Sequence, residues 1–338
     1  MGGSSFENQY PHRGGSAWPP GEEVDPRVLA TADVFGEALA ERGARGSGVL
    51  VIGSGAAVQM VTRRFEERCP DYFTALDGQS AEAGRRAVNA AERGGTVYLV
   101  IGNPGSVARI WSFLREEVCR RRLNVKVVAA VSGISAVEDL PSPAVVEDLA
   151  LVRVLPRMTV VIPADADETK RVLRWSLETS GPAYIRLSTF PTRGVTKRYD
   201  HFEPGRAGLL NPGWDLTFIA CGPLVSIALD TAEELELDGV SARVLNFSTV
   251  KPVDRTAIVE AAVNTRRIIT LEEHQITGGL GSTVAEIMAQ EGCGGRVRMM
   301  GLHNEFLAEL PSKDLPRHYG LTVGRLVEVA KELIASVP

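Results

Sequence analysis

The stretch LEEHQITGGLGSTVAE (271–286) sets two carboxylates and an imidazole, Glu272, Glu273 and His274, just ahead of the glycine pair Gly278-Gly279. Such a trio can relay protons, because an imidazole titrates near neutrality and a carboxyl is tuned by its surroundings. Two readings are open. The stretch is a strand end, a loop and a helix start with no chemistry, or it is a polar edge facing a cleft. Gly278, Gly279 and Gly281 do not follow the GxGxxG spacing that cradles phosphate; they read as a tight turn with close helix packing. The other histidines are His12, His201, His303 and His318, and they fall in an arm, a connector and turn-like positions.

Bulk properties exclude several classes. The 338 residues carry a net charge of −5, which implies no general affinity for nucleic acid. The clusters Arg63-Arg64, Arg85-Arg86 and Arg120-Arg121-Arg122 read as solvated faces. Cys69, Cys119, Cys221 and Cys293 form no CxxC pair, so neither a metal site nor a disulfide framework is expected, and a reducing cytoplasm fits best. No apolar run reaches the roughly 18 residues of a membrane span, and no basic-then-apolar leader opens the chain.

The elements that must position these residues form two series. Residues 1–26, rich in Gly, Ser and Pro, read as a disordered or loosely docked arm. Continuous apolar strands (48–55, 96–105, 124–133, 158–165, 182–188) then alternate with helical stretches (28–43, 80–93, 107–122, 144–154, 166–179). Runs of Val and Ile without alternation predict strands covered on both faces. A polar, turn-rich segment, 191–212, reads as a linker between domains at 27–190 and 213–338. The second domain repeats the theme, with strands at 214–222, 241–250, 266–274 and 296–302 and helices at 224–239, 254–265, 281–292 and 322–337. The fold class is α/β, two mostly parallel sheets flanked by helices. His274 falls at the carboxyl end of a strand, where open parallel sheets place their ligands.

From about residue 28 onward the ordered blocks resemble the C-terminal half of a transketolase. DVFGEALAERG (33–43), the long block at 123–173, GPAYIRLS (181–188), ARVLNFSTVKPVD (242–254) and EEHQITGGLGSTVAE (272–286) carry the resemblance. It implies a pyrimidine-binding domain followed by the small C-terminal domain. No GDG of the family's diphosphate-binding domain occurs in the sequence. The chain therefore resembles one subunit of a split transketolase. The resemblance implies a thiamine diphosphate cofactor held here only by its pyrimidine end. Magnesium would come through a separate N-terminal subunit that carries the diphosphate site, and the two chains would self-associate as a heterotetramer. The reaction implied is transfer of a two-carbon ketol unit between sugar phosphates or related ketoses, with no nucleic-acid or membrane partner.

Site residues follow from the same resemblance. Ala81-Glu82 aligns with the AE of the family's GIAEQ-like stretch, where the glutamate bonds the pyrimidine nitrogen and is expected to have a raised pKa. As an ordinary residue, Glu82 would be a first-turn glutamate stabilised by the helix dipole. Asn103, Ser106, Arg109 and Trp111 align with the family's aromatic wall, although Asn103 and Ser106 stand where phenylalanines are usual. Glu138 and Asp139 would form a polar rim to the slot, or else a solvated loop pair. Arg186 would meet a substrate phosphate, or else a structural ion-pair partner. His274 would look into the site, or else serve as a hydrogen-bonded strand end. Val131 and Pro143 replace two family histidines. That loss opens an alternative in which the chain is a catalytically degenerate subunit acting as scaffold or regulator. A further alternative is a homodimeric binder of another small ligand.

Overall fold

The computed structural model describes residues 28–46, 48–55, 57–76, 80–102, 105–134, 145–311 and 313–336. The arm at 1–26, Asn103, Glu138 and Asp139 lie outside the described residues. The first half runs β1 (Val28–Ala30), α1 (Thr31–Ala44), β2 (Val49–Ser54), α2 (Gln59–Arg68), β3 (Phe73–Leu76), α3 (Ser80–Glu92), β4 (Thr96–Ile101) and α4 (Ser106–Phe113). It continues with β5 (Val125–Ala129), α5 (Asp148–Arg153), β6 (Thr159–Val161), α6 (Ala166–Glu178) and β7 (Ala183–Arg186). The second half opens with β8 (Pro191–Arg193), β9 (Gly208–Asn211), β10 (Leu216–Ala220), α7 (Leu224–Leu237), β11 (Ala242–Asn246) and β12 (Thr249–Lys251). It closes with α8 (Arg255–Asn264), β13 (Arg267–Gln275), α9 (Leu280–Gln290), β14 (Arg296–Leu302), α10 (Leu315–His318) and α11 (Val323–Ala335).

Two sheets dominate, as the apolar runs predict. The larger has the order β12-β6-β7-β5-β4-β2-β3 and is parallel except where β12 meets β6. The smaller has the order β14-β13-β10-β11-β9 and is parallel except at β9. Val97, Leu99, Val127, Val128 and Ile185 are fully enclosed, because helices cover both faces of the larger sheet. One apolar cluster extends from Leu99 and Val127 through Phe247 to Ile258 and Val284, so the two halves share a core. Side-chain caps fix helix starts: Asp165 accepts from the Glu168 amide and Asp254 from the Ala257 amide.

The observed chain differs from the sequence reading in four places. The expected single strand 241–250 is two: β11 stays in the smaller sheet, and β12 crosses to the edge of the larger one. The expected linker 191–212 carries β8, which pairs with β1, and β9, which edges the smaller sheet. These strands span only three or four residues, too short to display a period. Between β2 and α3, where nothing regular was expected, lie α2 and β3. Helix α2 buries only Val61, Thr62 and Phe65, and β3 is half exposed, so neither announces itself by an apolar stripe. The expected helix 107–122 also changes pitch, continuing after α4 as a π-wound turn over Leu114–Cys119.

Candidate functional site

Glu82 stands in the first turn of α3 with its side chain about one-third exposed (32%). One carboxylate oxygen accepts from Arg85 Nε and Nη2 at 3.0 and 2.9 Å; the other accepts from Arg86 Nε at 3.1 Å. Residues three and four apart share a helix face, so these pairs form without any tertiary contact. The hydrogen bonds from Arg86 and Arg85 hold the carboxyl below the usual glutamate range. This is the reverse of the raised pKa expected from an apolar slot. Directly inward, Gly84 meets the Phe113 ring so closely that a Cβ would lie 2.9 Å from Cε1.

Of the residues aligned with the aromatic wall, Ser106, Arg109 and Trp111 are described and all lie on α4. Trp111 is half-buried and its indole N–H donates to the Leu151 carbonyl at 2.7 Å, tying α4 to α5. Ser106 is half-buried at the start of α4, and Arg109 is exposed.

The opening trio lies elsewhere, in a buried seam between the two halves. Glu272, Glu273, His274 and Gln275 are all enclosed, although they end a strand. The Glu272 carboxylate accepts from the Leu280 and Gly281 amides at 2.7 and 2.8 Å, at the start of α9. Burial nevertheless pushes its pKa up to about 8, against the pull of those amides. Gly279 is required there, because a Cβ would fall 1.8 Å from the Glu272 carboxylate. At Gly278, which has φ +82°, a Cβ would meet the Ala150 methyl at 2.6 Å. The glycines thus serve turn and close packing.

His274 is fully enclosed, and both ring nitrogens are engaged. Nε2 accepts from the Leu149 amide at 3.1 Å, with Ala150 at 3.4 Å, so the proton resides on Nδ1, which donates to the Gln275 carbonyl at 2.6 Å. Burial lowers its pKa and the nearby Asp148 opposes that shift. The imidazole is therefore a neutral strut between β13 and α5. Among the described residues the hydrogen bonds of both ring nitrogens are spent within the seam.

Arg186 belongs to the same seam. Its Nε donates to Asp148 at 2.9 Å, and its Nη2 reaches the other Asp148 oxygen at 3.3 Å and the Glu273 carbonyl at 2.9 Å. Tyr184 donates to the same aspartate at 2.7 Å. Burial, the largest single influence, would raise the Asp148 pKa; the Arg186 charge, together with the other charges and hydrogen bonds around the carboxylate, outweighs it and holds the group low. A guanidinium so committed, 4% exposed, has no approach for a substrate phosphate. Further along the seam, buried Glu168 accepts from the Ala164 amide at 2.7 Å, from Asn246 at 3.0 Å and from the Ser248 hydroxyl. Sequence reading missed Asp148, Glu168 and Asn246. The only available signal was Asp165, whose capping position marks the helix that carries Glu168.

A pyrimidine-nitrogen partner of the kind the resemblance implies needs a carboxyl kept protonated by apolar surroundings, with ring faces beside it. In the chain by itself Glu82 is paired with Arg85 and Arg86, and the Trp111 indole N–H is bonded to the Leu151 carbonyl. Among the described residues no cluster of three His, Cys, Asp or Glu is placed to hold a metal ion, and no helix is long and apolar enough to cross a membrane.

Comparison with known proteins supplies the wider frame. Residues 27–192 match the model of the transketolase pyrimidine binding domain, and residues 205–326 that of the transketolase C-terminal domain. The 6-deoxy-6-sulfo-D-fructose transketolase subunit SqwH of Clostridium sp. (strain MSTE9) is 32% identical, over 89% of this chain and 93% of its own length. A 1-deoxy-D-xylulose-5-phosphate synthase of Desulfitobacterium hafniense (strain DSM 10664 / DCB-2) is 30% identical over 91% of this chain, which spans only 49% of that protein. A solved structure described as a split gene transketolase, inactive beta4 tetramer, superposes with a TM-score of 0.81 at 32% identity, covering 90% of this chain and 98% of that one. With both family domains matched in order and a separate subunit aligned almost end to end, the chain belongs to the transketolase family.

Proposed function

We propose that this chain is the pyrimidine-domain subunit of a two-component transketolase-like enzyme. It would join a separate diphosphate-binding chain to form a thiamine diphosphate site and transfer a two-carbon ketol unit between ketose or sugar-phosphate substrates. Magnesium would enter with the partner. One observation carries this reading: the chain aligns with 93% of a relative named as a subunit, yet with about half of a single-chain relative. The partly exposed position of Glu82 also supports it, since a half-site must open toward the chain that completes it.

A second reading is favoured by the ion pairs around Glu82 and by the commitment of Trp111 to Leu151. In it the chain keeps the assembling fold and acts as a scaffold or regulator of its partner. Reconstitution separates the two. The chain is mixed with a diphosphate-binding subunit, thiamine diphosphate and magnesium, and ketol transfer is followed. The enzyme reading expects turnover that Glu82→Gln reduces about 10²–10⁴-fold while assembly, followed by size-exclusion chromatography, is unchanged. Turnover that the Glu82→Gln variant retains in full would leave only the scaffold reading.

A further inference from the structure

The run Arg120-Arg121-Arg122 reads in sequence as one solvated cluster, and the structure divides it. Arg120 pairs with Glu116 at 2.7 Å, and Arg121 pairs with Glu117 at 2.9 Å and with Glu92. Among the described residues Arg122 has no acidic partner. It lines an open groove of about 280 Å³ with Arg157, Thr159, Ser180, Gly181 and Pro182, in which Arg122, Arg157 and Ser180 are exposed. Arg157 likewise has no acidic partner among the described residues, and its Nη1 is anchored on the Arg120 carbonyl at 2.6 Å. Among the described residues no carboxylate lines the groove.

The backbone gives a second, independent observation. Arg122 has φ +57° and Arg157 has φ +68°, both in the left-handed region. Glycine adopts that region freely, and asparagine and aspartate tolerate it because their short side chains bond the local backbone. A long cationic side chain gains nothing there. Among the described residues three arginines, Arg122, Arg157 and Arg266, hold such positions, and two of them, Arg122 and Arg157, bring their guanidinium forks to the same groove. The opposite wall, the turn 179–181, is held from below by Lys126, whose buried ammonium donates to the Thr179 and Gly181 carbonyls at 2.8 and 2.6 Å.

Two guanidinium forks with Thr159 and Ser180 beside them suit a tetrahedral oxyanion, which guanidinium binds in two-point fashion. The volume sits just under the usual range of about 300–1,000 Å³ for small-molecule pockets, so a phosphate with a short carbon skeleton is the largest fitting guest. The groove lies at the amino ends of β5, β6 and β7. Parallel sheets place their principal ligands at the opposite, carboxyl ends. We propose that this groove is a phosphate-binding site, separate from the half-site at Glu82, for inorganic phosphate or a small phosphate monoester.

The test uses the full chain without any partner, so its outcome is independent of the reconstitution above. Thermal unfolding and titration calorimetry are run with inorganic phosphate, with glycerol 3-phosphate and with sodium chloride at equal ionic strength. Phosphate or the ester is expected to raise the melting temperature by linkage where chloride does not. The stronger of the two identifies free phosphate or ester as the guest. In the double variant Arg122→Asn/Arg157→Asn, the ligand-free melting temperature is expected to rise, since asparagine fits the left-handed region, while affinity falls at least about tenfold. A phosphate response undiminished in the double variant, or no response above chloride in the natural chain, overturns the proposal. So does a fall in the ligand-free melting temperature, which would make the arginines structural.

Discussion

Two regions of this molecule use the same residue types to opposite ends. In the seam, Asp148, Arg186, Glu272 and His274 are enclosed and bonded across elements: the Leu149 amide and His274 are 125 residues apart, Arg186 and Asp148 are 38 apart, and Glu272 holds the start of the following helix. At the start of α3, Glu82, Arg85 and Arg86 are exposed and bonded only to each other within one turn of helix. A buried charge must keep its partners, because losing one leaves a desolvated ion uncompensated. An exposed pair is cheap to open, because water replaces it. The seam is therefore architecture, and the Glu82 face is a surface that an incoming chain can rearrange.

The sharpest way to break this contrast is at the seam. Arg186→Met leaves Asp148 buried without its cation and is expected to cost about 3–5 kcal/mol by urea unfolding. Adding Asp148→Leu should recover much of that loss, since an apolar pair of similar volume carries no unpaired charge. A small loss in the single variant would mean that the seam is wetter than its geometry implies. Next in size is Gly279→Ala. Its methyl would overlap the Glu272 carboxylate, and overpacking of this kind costs about 1–3 kcal/mol. Full stability in that variant would show that the start of α9 yields easily.

The pH dependence probes the seam more gently. The folded His274 has a lowered pKa, so its contribution is present above the unfolded value of 6.5 and is lost as pH falls from there through the lower folded value. Glu272 acts in the other sense. Its folded pKa is raised to about 8 from 4.5, so its contribution is full below 4.5 and is lost as pH rises toward 8. His274→Gln should flatten the acid side of the melting-temperature profile, and Glu272→Gln the alkaline side. Unchanged profiles in both would remove the link between burial and titration. The smallest effect is expected at the exposed site: Arg85→Ala/Arg86→Ala should leave the melting temperature unchanged while the Glu82 pKa, followed by carboxyl NMR, rises toward its ordinary value. Substantial destabilisation would place the two regions in one class.

Much of the fold was legible in the sequence. The Val- and Ile-rich runs that became β2, β4, β5 and β10 mark enclosed strands because helices on both faces remove any polar alternation. Helices α6 and α8 fall where 166–179 and 254–265 were expected, and the structure shows Asp165 and Asp254 capping their starts. The site was less legible. Glu82 was found through its motif, but its arginine partners three and four residues on reversed the expected ionisation. Arg186 was weighed between substrate and ion pair, and only the placement of Asp148 decided it. The crossing of β12 was invisible, since three residues carry no period.

The sequence by itself determined which segments are strands and helices, their order and the family whose blocks they follow, because those properties rest on local apolar patterning and contiguous motifs. Only the tertiary structure decided which polar residues are enclosed and with what they pair. A carboxylate, guanidinium or imidazole has no fixed role of its own. Its charge state and its use are set by the groups brought within hydrogen-bonding reach, and here those groups arrive from elements a hundred residues away.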